Sequence, residues 1–247
     1  MKEKMVIAQL RGTIFAPLNI GYTPENDSKF SELLLPGAKA FNANPSGAIV
    51  PGVNPNTPQY GLPWRLFKKC GETGEYNIVF LPGKIDIILT KDSPFGDDTE
   101  PFFCKQCIEW FTKIQETQGH VMVNRIAYAP LYALKLDKMP ADAIWGGLLK
   151  KTMYDGTPLQ DINFSFLLKR QIKFDDLVIQ MNLLHNFTDG MQIRQDGAQQ
   201  IMYKVVLLQL DLNSIPEVPL ALDTKGMASF FNRILDLKDS LIDNVAI

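Results

Sequence analysis

Cys104 and Cys107, separated by Lys105-Gln106, form the one recognisable short motif in this 247-residue sequence. A Cys-x-x-Cys pair at a helix start places a thiol in the positive end of the helix dipole, which lowers its pKa and prepares it for disulfide exchange. Here a polar loop and Pro101 precede the pair, where redox chemistry would want a strand leading straight into it. Structural zinc needs about four ligands, and the remaining soft or imidazole donors, Cys70, His120 and His185, offer no second paired spacing. The ordinary role of such cysteines is as small apolar side chains on a buried helix face. No cofactor or metal is expected, and Cys104 with Cys107 stands as the thiol or zinc alternative.

With two histidines, His120 and His185, imidazole chemistry has few options, and both are expected near strand ends at the surface. The chain has no G-x-S-x-G, Walker A, G-x-G-x-x-G or H-E-x-x-H pattern, which removes the common hydrolase, NTPase, dinucleotide and zincin readings. Asp97-Asp98 reads as a helix cap and Asp175-Asp176 as a turn, the places where aspartate is ordinarily found. Arg125 is more distinctive. It interrupts the apolar stretch Val121 to Tyr128 and alternates onto the face of Val121, Val123 and Ala127, where it could hold a carboxylate or a partner. An enzyme of unfamiliar type, using Arg125 and strand-end carboxylates, is therefore the alternative to a binding protein.

The elements that must position these residues are clearest between Glu75 and Tyr128. Tyr76 to Leu81 and Lys84 to Thr90 read as strands joined by a Pro82-Gly83 turn. Phe103, Cys107, Trp110, Phe111 and Ile114 then mark one face of a helix over about Thr99 to Gln118, closed by Gly119 and followed by a strand from His120 to Tyr128. Upstream, Lys4 to Phe15 is a strand with Gly12 as a bulge or a point of close approach. Eight prolines between residues 16 and 63 predict a long irregular arm, with Lys29 to Leu35 as a short helical turn. Downstream, Pro140 to Lys151 is a helix connecting to strands at Ile162 to Phe174, Leu177 to His185 and Ile201 to Leu212. A helix from Thr224 to Asn244 follows them, with Phe230, Ile234, Leu237 and Leu241 on one face.

The resulting fold class is α+β, with two similar halves, each a largely antiparallel sheet of about three to four strands with a long helix packed on one face. The expected boundaries are 1–135 for the first half, including the Pro/Asn-rich excursion at 16–63, then 136–160 as the connection and 161–247 as the second half. A hydrophobic fraction of 46% and a charged fraction of 21% are those of a globular protein. The net charge of −2 gives no general attraction to phosphate backbones, so a nucleic-acid partner is unsupported. No apolar run is long enough to span a membrane, Arg11 interrupts any signal-peptide core, and three cysteines make no secreted disulfide framework. A cytoplasmic location follows as the expectation.

Trp110, Arg125-Ile126 and Asp211-Leu212-Asn213 carry a resemblance to a sporadically distributed family of uncharacterised bacterial proteins of about this length. The resemblance implies a hairpin, a Trp-bearing helix, an Arg-Ile strand and a final helix, and it assigns no activity. The function expected is a non-enzymatic one, in which the protein binds another protein or itself as a regulatory or accessory component. The apolar residues of the arm, Phe30, Leu34 and Phe41, together with Arg125, are its candidate contact residues.

Overall fold

Strand β1 (Met5–Phe15) is the first element of the chain and lies in the middle of the sheet. The computed structural model describes residues 5–18, 20–42, 64–70, 74–91, 98–134, 163–196 and 199–243. Helix α1 (Pro24–Leu34) follows β1, then β2 (Lys39–Asn42), β3 (Trp64–Cys70), β4 (Gly74–Leu81), β5 (Lys84–Lys91) and α2 (Thr99–Thr117). After these come β6 (Arg125–Tyr128), β7 (Leu131–Leu134), β8 (Asn163–Phe174), β9 (Leu177–Asp196), β10 (Gln199–Ser214) and α3 (Thr224–Asp243). The sheet runs β2-β3-β4-β5-β1-β6-β10-β9-β8, with β7 also paired to β1 and β10. Every one of these pairings is antiparallel.

The α+β class and the antiparallel pairing agree with the sequence reading, but the strands do not form a separate sheet in each half. β1 pairs with β6 and β7, and this joins everything into one sheet. Pro130 has no N–H to give a ladder, so the central strand divides into β6 and β7. The gap is spanned by Arg11 and Ala129, which exchange backbone bonds at 3.2 and 2.8 Å, and by Leu210 N–H donating to the Pro130 carbonyl at 3.0 Å.

All three described helices lie on one face of the sheet. Phe30 of α1 packs on Trp64 and Phe80, Trp110 of α2 meets Tyr76 edge-on, and Phe230 of α3 lies against Phe174. Trp64, Phe80, Phe103, Phe111, Phe230 and Phe231 are all essentially inaccessible, each burial stabilising the fold by roughly 1.5–3 kcal/mol. α2 buries the five residues its periodicity predicts. Gly12 is a point of close approach: a Cβ there would stand 2.6 Å from Cys107 Sγ and 3.3 Å from the Phe231 ring. Among the described residues, no helix is long and apolar enough to cross a membrane.

Several expectations are corrected. The arm is not irregular throughout, because Pro24 sits in the first turn of α1 and Pro36 follows its end, so these prolines bracket a helix rather than break one. Thr23 caps that helix by accepting from Asn26 N–H at 3.0 Å, and Ala16, Leu18, Ile20, Phe30 and Leu34 belong to the core. The strand expected from His120 starts only at Arg125, since Gly119 and His120 both take left-handed backbone angles to end α2. Asp98 occupies the cap position of α2 without a side-chain capping bond. The strand expected to end at His185 runs on to Asp196 and the one expected from Ile201 starts at Gln199, with Asp196 opposite Gln199. Residues 43–63, and with them most of the arm's second part, lie outside the described residues, as do the predicted helix at 140–151 and the 136–160 connection.

Candidate functional site

On the helix-covered face, charged groups meet where α2, α3 and the central strand converge. Glu100 stands in the first turn of α2, where the helix dipole favours its charge. Its Oε1 accepts from the hydroxyls of Tyr128 at 2.7 Å and Tyr132 at 2.6 Å, while Oε2 accepts from Lys238 Nζ of α3. Lys238 also pairs with Asp239 at 2.8 Å. The side chains of Lys238 and Glu100 are only 7% and 12% exposed, so neither is stabilised by bulk water. Burial first, and then the Glu100 charge, push both tyrosine hydroxyls well up. Each oxygen of Glu100 is occupied by donors from a different element, and the cluster works as a clamp.

Cys104 lies one turn along from Glu100, and both Cys104 and Cys107 are buried free thiols. Burial, reinforced by Glu100 and opposed by Lys238, pushes Cys104 up to about 12. Burial likewise raises Cys107, which lies beneath Gly12. At neutral pH both are thiols rather than thiolates, without the nucleophile that disulfide exchange uses. Among the described residues, no group of three or more His, Cys, Asp or Glu side chains comes together as a metal site. His185, expected near a surface strand end, is instead 1% exposed within β9 and stacked on Phe166 at 4.4 Å.

The other face of the same sheet has no helix over it among the described residues. Alternation and register place Arg65, Val79, Asp86, Thr13, Ala127, Asn213, Asn182 and Lys169 in one row across eight strands. The middle of that row is buried at Asp86, Thr13, Ala127 and Asn213, and its two ends are exposed. Over the whole face the described cations are Arg11, Lys39, Arg65, Lys69, Lys84, Arg125, Lys169 and Lys173, eight against the three acids Glu75, Asp86 and Asp211. That local excess of five positive charges stands in a chain whose net charge is −2.

Arg125 ends this face. Its Nη2 donates to Asn213 Oδ1 at 3.0 Å, its Nε to the Ser214 carbonyl at 3.3 Å, and its guanidinium lies 4.7 Å from the centre of the Phe15 ring. Lys84 approaches the same ring at 5.6 Å and pairs with Asp86 at 2.8 Å. Thr13 donates to the other oxygen of Asp86. Among the described residues no carboxylate bonds to Arg125. Phe15, Ala16, Pro17, Gly83, Asn124, Arg125, Pro216 and Pro219 together line a pocket of about 360 Å3.

Of the contact residues named from the sequence, Arg125 is the one placed at this opening. Phe30 and Leu34 are 0% and 3% exposed and are engaged inside the molecule, because α1 turns its apolar stripe to the sheet. Phe41 lies on β2 opposite Arg65, and its side chain is outside the described residues. Sequence reasoning missed Asn213 and Lys238 as partners of Arg125 and Glu100, because each pair is far apart in the chain. No family model, curated protein or solved structure matches the chain.

Proposed function

We propose that the protein acts without catalysis, by docking an acidic protein partner on the uncovered face of its sheet. The observation that carries this reading is the excess of cations on that face in a chain of net negative charge. Charge complementarity of this kind selects a partner and speeds its arrival more than it adds affinity. Exposed apolar side chains on the same face, Leu167 and Val178, supply area for a contact that charge alone would leave weak. Fixed strands also position such residues without an ordering cost at binding. The proposed setting is a bacterial cytoplasm, and the likeness to the sporadically distributed family belongs to the same proposal without adding an activity to it.

The order of the sheet supports a duplication as its origin. Apart from the edge strand β2 and helix α1, which have no described counterpart in the second half, it reads β3-β4-β5-β1 from one side and β8-β9-β10 and then β6 with β7 from the other. On each side an inner strand comes first in the chain, a three-stranded meander follows, and a helix ends the unit. The docking face would then be made from two related sheets joined at β1 and β6.

The test places a photo-reactive residue at Gln171 or Gln209, both exposed on the uncovered face, and for comparison at Lys105 on the outer side of α2. The expected result is one acidic protein captured from the sheet positions, and its loss when Lys169→Glu and Lys173→Glu are combined in a chain that melts as before. Capture from Lys105 instead, or capture that survives the charge reversal, overturns the reading.

A further inference from the structure

Around the pocket at Arg125 the backbone donors are already engaged. Ala16 N–H donates to the Gly83 carbonyl, Gly83 N–H to Leu18, and Asn124 N–H to Phe15. Pro17, Pro216 and Pro219 have no N–H to offer. Lys84, which approaches the same Phe15 ring as Arg125, is held by Asp86. An anion entering here meets the guanidinium of Arg125 and the exposed amide of Asn124. The guanidinium has five N–H groups, and its two bonds, to Asn213 and Ser214, fix its plane while leaving donors uncommitted. A carboxylate, with two oxygens and a single charge, matches that supply in the plane of the fork. A phosphate would bring a second negative charge that no further described cation lining the pocket would meet. The remaining wall is Phe15 and three prolines, which suits a compact apolar body next to the anion.

We propose that this pocket binds a carboxylate carried on a compact apolar group, as at the C-terminus of a peptide or on a free branched organic acid. Where the carboxylate belongs to a docked partner, the proposal rests on the docking reading and makes Arg125 the anchor of that contact.

The test uses the full chain and follows the Arg125 Nε–H resonance, assigned by its loss in Arg125→Gln. N-acetylleucine is expected to move the signal saturably and N-acetylleucinamide to leave it in place. Binding followed on the pocket's backbone signals should weaken at least about tenfold in Arg125→Gln, as for loss of a charge-assisted bond. Pro219→Asp, which leaves the bonds to Asn213 and Ser214 intact, should weaken it too by adding a like charge at the rim. Isovalerate separates the sources: tighter binding of N-acetylleucine identifies a chain terminus, and tighter isovalerate a free acid. A signal unmoved by either acid, moved equally by the amide, or moved at lower concentration by inorganic phosphate overturns the proposal. If the acids fail while the sheet-face cross-link persists, the pocket falls alone. If the acids bind and the cross-link is absent, the docking reading falls and the pocket proposal stands without it.

Discussion

On the covered side of the sheet Glu100 meets Lys238 and two tyrosines, so a buried charge is surrounded by donors from α3, β6 and β7. On the uncovered side of the same sheet Arg11 Nε, Asn77 Oδ1, Asn182 Oδ1 and Asn186 Oδ1 are shielded without a hydrogen-bond partner among the described residues. A buried polar atom left unpaired costs about 1–3 kcal/mol. The covered side holds two such atoms as well, Gln115 Oε1 and His185 Nδ1, so the faces differ chiefly in charge: the covered one buries a matched ion pair, and the uncovered one carries the excess of cations. This contrast separates the part of the molecule that specifies the fold from the part available for recognition.

The contrast can be broken most forcefully at Lys238. Lys238→Ala leaves Glu100 buried without its cation, and a loss of about 3 kcal/mol or more is expected in denaturant unfolding. Lys238→Met combined with Glu100→Gln should cost less than that single change, because no uncompensated charge remains. A double variant as unstable as Lys238→Ala would show that packing, and not charge, sets the effect. Gly12→Ala tests the same face through shape: its methyl would enter the space of Cys107 Sγ, and a loss of about 1–3 kcal/mol is expected.

His185 offers a smaller test read through pH. Burial lowers its pKa below the 6.5 of a free imidazole, so the unfolded chain takes up the proton first. Its contribution to stability is complete above about 6.5 and is lost progressively as pH falls toward the folded value. His185→Gln should flatten that part of the stability profile, and an unchanged slope would assign it to other groups. The smallest stability effects belong to the uncovered face. Lys169→Glu and Lys173→Glu, both exposed, are each expected to change unfolding free energy by no more than about 0.5 kcal/mol. Calorimetry showing a larger loss there would mean that this face is part of the folding core and would erase the contrast.

Much of the covered face could be read from periodicity, since Phe103, Cys107, Trp110, Phe111 and Ile114 recur at helical spacing and all are buried. The hairpin of β4 and β5 was equally legible, because Pro82-Gly83 fits its turn, where Gly83 takes a positive φ of 69°. α1 was obscured because Pro24 and Pro36 look like breakers until their places at the helix ends are known. No local pattern marks Lys238, because its partner Glu100 is 138 residues away in sequence. Arg125 stood out as a charge among apolar residues, but its neighbours Phe15 and Asn213 come from strands brought together only by register. The cation excess was concealed by the overall charge of −2, which averages two unlike faces.

The central place of β1 also bears on how the chain is made. As the protein emerges from a ribosome, β1 appears before all of its partners, which arrive on one side only with β5 and on the other only with β6 and β7. Until then a strand bearing Val6, Leu10 and Ile14 has two open edges and an apolar face, the condition under which nascent strands pair wrongly or aggregate. Synthesis of β3, β4 and β5 as a local meander ahead of that closure gives β1 a ready-made template. The rate at which translation passes the β5 segment therefore becomes a determinant of yield, although it leaves no trace in the finished structure.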